Sequence, residues 1–118
     1  HHGKDPEVVE ELVKIEQMHT RSLSKFLSRL KEIDDGGATL FDRTQVLFGS
    51  GLGNGSSHSN RNLPVLVAGG DLKHSGKDLV FEEGKTPLAN VFVTMLQSLG
   101  IESENFAHST GNINNELA

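Results

Sequence analysis

The residues best placed to do chemistry lie between Thr44 and Gly70, in the stretch TQVLFGSGLGNGSSHSNRNLPVLVAGG. Two apolar runs, Val46–Phe48 and Leu63–Ala68, flank a loop of Gly, Ser and Asn that carries one imidazole, His58. Short apolar runs bounded by Gly and Pro read as buried strands. A loop at the end of such a strand is where an α/β protein commonly places its site. An imidazole there can ligate a metal or move a proton near neutral pH. Ser57, Ser59 and Asn60 beside it are small hydrogen-bonding residues that could orient the ring or hold a substrate. By composition alone, a solvated loop histidine is the commoner outcome.

The same loop opens with alternating glycines at Gly49, Gly51, Gly53 and Gly55. A dinucleotide-binding loop would have to lead into a helix whose N-terminus holds the pyrophosphate. The residues that follow, SSHSNRNLP, do not start a helix, so the run fails that context test. It reads instead as a loop whose glycines supply positive φ.

The other histidines carry less. His1 and His2 have the composition of a purification-tag remnant, and adjacent side chains point apart, so one of them at most would serve a given ion. His74 and His108 sit in polar segments and read as surface residues, and His19 reads as semi-exposed on a helix. Asp71 follows the second strand, a position where carboxylates often act, but it stands alone.

The elements that position this loop are legible. Pro6 to about Ile33 reads as a long amphipathic helix, with Asp5 as N-cap, Pro6 at the first helical position and Glu7, Glu10 and Glu11 at its positive end. Val8, Val9, Leu12, Val13, Ile15, Leu23, Phe26, Leu27, Leu30 and Ile33 recur at spacings of three and four, which predicts one buried face. Asp34-Asp35-Gly36-Gly37 is the expected stop. Strands follow over Thr44–Ser50 and Val65–Ala68, then a surface excursion from Asp71 to Gly84 with a short strand at Leu79–Phe81. A second helix is predicted from Thr86-Pro87 to Gly100, with Leu88, Val91, Phe92, Met95, Leu96 and Leu99 on its apolar face. The tail from Glu102 is polar and weakly patterned. This alternation predicts an α/β chain with a parallel or mixed sheet. Two core strands are too few to stand alone, so the 118 residues are expected to be part of a larger domain.

Composition excludes several classes. A net charge of −5 with scattered Lys and Arg carries no nucleic-acid footprint and no polybasic membrane patch. The absence of Cys removes disulfides and thiolate metal sites. No apolar run approaches the roughly 18 residues of a membrane span, and the polar N-terminus has no signal-peptide pattern.

From His58 onward, HSNRNLPVLVAGG resembles the HTxxxVPVxxxG element of the alkaline phosphatase superfamily, with the match on His58, Pro64 and the strand Val65–Ala68. In the cofactor-independent phosphoglycerate mutases and the phosphopentomutases, that histidine is a metal ligand. SKFLSRLKEI followed by LFDRTQVLFGSG resembles the sulfatase pattern of a long helix, a short loop and a strand. TPLANVFVTMLQSLGIES resembles the helix near the end of those domains, and the opening HHG resembles the superfamily's D-x-x-x-H-x-G metal motif. The whole chain looks like the C-terminal part of an uncharacterised bacterial family named for an HxxSHH motif, with His1 and His2 as the last two residues of that motif.

The resemblance implies a fragment of a three-layer alkaline-phosphatase-like fold with a long N-terminal helix, two core strands and a C-terminal helix. Residues 1–118 would form the C-terminal segment of one domain. It implies a hydrolase of phosphate or sulfate esters that uses a divalent metal (zinc, manganese or calcium), with His58 and His1 or His2 as ligands and Ser57, Ser59 and Asn60 around them. It also implies export and, as partners, the remainder of the parent domain and a small ester or glycan. The superfamily's Asp-His pair after the first strand falls near Gly51-Leu52, which cannot bind metal. Two histidines do not close a site that takes four ligands, so the segment alone is expected to be inactive. The alternative is a non-catalytic scaffold whose loops bind a glycan or protein.

Overall fold

A computed structural model describes residues 3–70, 72, 76 and 78–118. Among them the chain forms α1 (Pro6–Glu32), β1 (Val46–Gly49), β2 (Val65–Ala68), α2 (Ala89–Ser98) and α3 (Asn114–Leu117). It is a mixed helix and strand protein that divides into two compact units, His1–Asp42 with Gly49–Val65, and Arg43–Phe48 with Leu66–Ala118.

In the first unit, α1 starts as its sequence dictates. The Asp5 carboxylate accepts the Glu7 N–H at 3.0 Å, and Pro6 occupies a position whose N–H would otherwise be orphaned. Lys14–Glu10 and Arg29–Glu32 pair at 2.7 Å along the exposed surface. Its 27 residues span about 40 Å. The predicted apolar stripe exists, but its burial is confined to one end. Leu30 is buried and Leu23 and Leu27 are half-buried, whereas Val8, Val9, Leu12, Val13, Ile15 and Phe26 stay more than a third exposed.

The helix ends one step before the predicted Asp-Asp-Gly-Gly stop. Ile33 turns to an extended conformation (φ −90°, ψ 114°). Asp34 bridges Thr39, the Asp35 N–H donates to the Ala38 carbonyl at 2.7 Å, and Gly36 and Gly37 take φ +69° and +91°. Two successive positive φ values are what a type I′ reversal requires, and glycine takes them without strain. The pair therefore makes a tight turn that returns the chain to the helix end. There the Phe41 N–H reaches the Leu30 carbonyl at 3.1 Å, and Lys31 Nζ lies 4.7 Å from the centre of the Phe41 ring.

β1 and β2 form a two-stranded sheet. The Ser50 N–H donates to the Pro64 carbonyl at 3.2 Å, which places the end of one strand beside the start of the other. The pair is antiparallel rather than parallel. A parallel pair needs a crossover, usually helical, whereas residues 51–63 form no helix and return directly. Leu47, Phe48 and Leu66 are more than a third exposed.

In the second unit, α2 begins at Ala89, later than predicted. Thr86 does not cap it, and Leu88 precedes it in a helical conformation with no side-chain cap. The Pro87 and Leu88 carbonyls accept from Asn90 and Val91 N–H, so a tight turn leads into the helix. The other end is as predicted. Gly100 has φ +78°, its N–H reaches the Gln97 carbonyl at 3.0 Å, and the Ile101 N–H reaches Leu96 at 3.1 Å. That is a Schellman closure. Leu79–Phe81 forms no strand, and Val80 is almost fully exposed.

The buried face of α2 is not the predicted apolar one. Asn90, Val93 and Thr94 are buried, whereas Leu88, Val91, Phe92, Met95 and Leu96 are half-buried and Leu99 is exposed. The C-terminal tail explains this. Asn90 bonds Thr110 twice, Thr94 Oγ1 accepts the Ile113 N–H at 2.9 Å, and Gln97 bonds both the Ser103 carbonyl and Asn114. Phe106 adds a tilted ring contact to Phe92 at 5.6 Å. A tail read as weakly patterned is thus fastened to α2 through side-chain amides and a hydroxyl, and it ends in α3.

Candidate functional site

The loop from Ser50 to Pro64 lies in the first unit and is tied to itself. Ser50 Oγ accepts the Leu52 N–H at 3.1 Å. Asn54 and Ser59 form an antiparallel bridge, and the Gly53 N–H joins it at the Ser59 carbonyl, 2.8 Å away. Inside this small hairpin, Asn54 Oδ1 accepts the N–H groups of Ser56 and Ser57, each at 3.0 Å. An asparagine side chain that mimics a backbone turn in this way is a common closure of short loops.

None of the four glycines adopts the predicted positive φ, and two of them answer instead to a need for space. A Cβ on Gly49 would sit 2.7 Å from the Pro64 carbonyl oxygen, and one on Gly53 would collide with the Arg61 carbonyl oxygen. These two glycines let the arms of the loop approach. Gly51 and Gly55 face open space. The left-handed conformations fall instead on His58 and Asn62, each at φ +51°. Asparagine and histidine are among the non-glycine residues that accept this region most readily.

His58 is exposed at the head of the hairpin. Of the residues expected to surround a bound group, Ser57 gives its backbone N–H to Asn54, Ser59 Oγ accepts the Arg61 N–H at 3.3 Å, and Asn60 is exposed. His1 and His2 lie outside the described residues, as do His74 and Asp71. Among the described residues, no three His, Asp or Glu side chains converge in a way that could hold a metal ion. His58 is therefore the one candidate ligand that the described loop presents, and it does not complete a site there. Leu52, at the position of the expected Asp-His pair, is exposed. His19 and His108 are exposed on other elements.

Sequence reading missed Asn54, the residue that organises the loop. Its signal was present as Asn-Gly-Ser-Ser, a turn sequence whose first side chain bonds the backbone two and three residues on. No described helix is long and apolar enough to cross a membrane. Compared with family models, with curated proteins and with solved structures, the chain matches none.

Proposed function

We propose that this chain is the C-terminal segment of an alkaline-phosphatase-like hydrolase of phosphate or sulfate esters, and that His58 is its contribution to a divalent metal site. The observation that carries this reading is the presentation of His58. His58 stands exposed at the head of a loop that is closed by its own backbone bonds and that follows β1 and precedes β2 along the chain. A loop closed by its own hydrogen bonds that carries one histidine suits a ligand that others must complete.

The apolar residues of α1 and of the strand pair support the incomplete-domain part of the reading. Val8, Leu12, Ile15, Leu47, Phe48 and Leu66 remain over a third exposed, and among the described residues the buried apolar ones are Leu30, Val93 and Ile113. Such surfaces are what core-facing elements present when the layer they cover is elsewhere. A bound metal would supply Lewis-acid polarisation of the ester oxygen. This chain's residues would hold that metal through His58, with the nucleophile and the remaining ligands on the parent domain.

Calorimetric titration of zinc and of manganese into the full chain and into His58→Ala tests the ligand. Binding that is lost in the variant supports it. Binding that is unchanged assigns the metal to His1-His2 and overturns the role of His58. Phosphatase and sulfatase assays on the parent then test the chemistry.

A second reading has its own observation. On the resemblance, the superfamily's ligating Asp-His pair falls near Gly51 and Leu52, neither of which can bind a metal. A scaffold that has lost its metal chemistry and binds a glycan or protein through the Gly51–Asn62 loop accounts for that. Absence of metal binding by the parent itself selects this reading.

A further inference from the structure

The hairpin that carries His58 holds a second feature, independent of any metal. Asn54 is followed by Gly55, the one Asn-Gly pair in the chain. We propose that Asn54 is a site of spontaneous covalent modification, at which its side-chain amide cyclises onto the Gly55 nitrogen and water then opens the ring to aspartate or isoaspartate.

Three observations meet at this pair. Asn54 and Gly55 are both exposed, and a Cβ on Gly55 would meet nothing within 4 Å, so no residue beyond its chain neighbours crowds the glycine. The Gly55 N–H makes no hydrogen bond to any described residue, so its proton is free to pass to water, whereas the next two N–H groups are engaged. Those two, from Ser56 and Ser57, both donate to Asn54 Oδ1 at 3.0 Å. Backbone donors fixed on an oxygen where negative charge develops stabilise the tetrahedral step of acyl transfer. The turn thus withdraws electrons from the carbonyl carbon that the neighbouring nitrogen must attack.

The step balances without a redox partner. The Gly55 nitrogen loses its proton to water and forms a bond to Asn54 Cγ. The Cγ–Nδ2 bond breaks as Nδ2 takes a proton back from water, and Nδ2 leaves as ammonia. Water adds to either carbonyl of the resulting succinimide. One product restores the normal backbone with a carboxylate at residue 54. The other carries the backbone through the former side chain, one carbon longer. Both place a new negative charge four residues before His58. The longer product also shifts the Asn54–Ser59 pairing on which the hairpin depends.

The test uses the full chain, incubated near neutral pH and digested with trypsin, with the peptide from Thr44 to Arg61 followed by mass spectrometry and by isoaspartate-specific methylation. The expected result is conversion of amide to acid at residue 54, while Asn60 in the same peptide stays intact. The folded chain should react at least as fast as the urea-unfolded chain. Gly55→Ala, which the open space accommodates, should lose the reaction. If the folded chain is strongly protected relative to the unfolded one, or if Asn60 reacts as readily as Asn54, the proposal is overturned. The comparison of folded with unfolded unaltered chain decides the matter even if the variant fails to fold.

Discussion

Asn90 on α2 grips Thr110 on the tail at two points. Its Nδ2 donates to Thr110 Oγ1 at 3.2 Å, and its Oδ1 accepts the Thr110 N–H at 2.8 Å. Asn90 is itself buried. A buried amide that satisfies a backbone donor and a hydroxyl at once fixes where the tail must lie, because any other placement leaves polar groups unpaired.

Asn90→Ala leaves the Thr110 N–H without its acceptor. Removal of one partner exposes the other's desolvation cost, so the variant should lose about 1–3 kcal/mol of stability. Urea denaturation checks this, with a lower midpoint at unchanged slope as the expected result. An unchanged midpoint would mean that the tail contributes nothing to the second unit.

Gly53 and Gly51 are two residues apart and should answer the same substitution differently. A Cβ on Gly53 overlaps the Arg61 carbonyl oxygen, whereas one on Gly51 enters open space. Gly53→Ala should cost about 1–3 kcal/mol through forced separation of the loop arms. Gly51→Ala should be neutral or slightly stabilising, since it only reduces the freedom of the unfolded chain. Hydrogen exchange at the Ser59 amide, which bonds the Asn54 carbonyl at 3.1 Å, reports the loop directly. Equal exchange rates in the two variants would refute the contrast.

His58→Asn separates the conformational role of this residue from its chemistry. Asparagine tolerates the left-handed φ of +51°, so stability should stay within about 0.5 kcal/mol of the parent chain. Zinc binding that depends on the imidazole should disappear. Retention of zinc affinity in a normally folded His58→Asn chain would exclude the residue as a ligand.

Leu30 and Leu12 lie on the same stripe of α1 in different surroundings, one buried and the other 39% exposed. Leu30→Ala should cost roughly 2–5 kcal/mol, as core truncations do. Leu12→Ala should cost under about 1 kcal/mol in this chain, because little contact is lost. In a complete parent domain the Leu12 cost should rise toward that of Leu30. Thermal or chemical unfolding of the parent that leaves Leu12→Ala neutral would count against the incomplete-domain reading.

Local signals in the sequence were enough to determine the beginning of α1 and the end of α2. Asp5 before Pro6, and Gly100 after the last turn of α2, act through bonds to residues a few positions away, so no distant partner is needed to read them. The existence of both strands was equally local, since apolar runs bounded by Gly and Pro mark their ends. His58 was singled out by its place between those strands, and the structure sets it exposed at the head of the loop.

Tertiary structure alone decided which face of α2 is buried, the strand direction and the work of the loop glycines. The periodic apolar face of α2 predicted burial of Leu88, Val91 and Leu99, but the tail offered hydrogen bonds to Asn90, Thr94 and Gln97, and Asn90 and Thr94 are the ones buried. Hydrophobic periodicity measures the apolar content of a face, not which partner arrives, and hydrogen bonds between residues about twenty positions apart leave no periodic trace. Gly49 and Gly53 likewise owe their identity to carbonyls across the loop, and a requirement for space is visible only once both arms are in place.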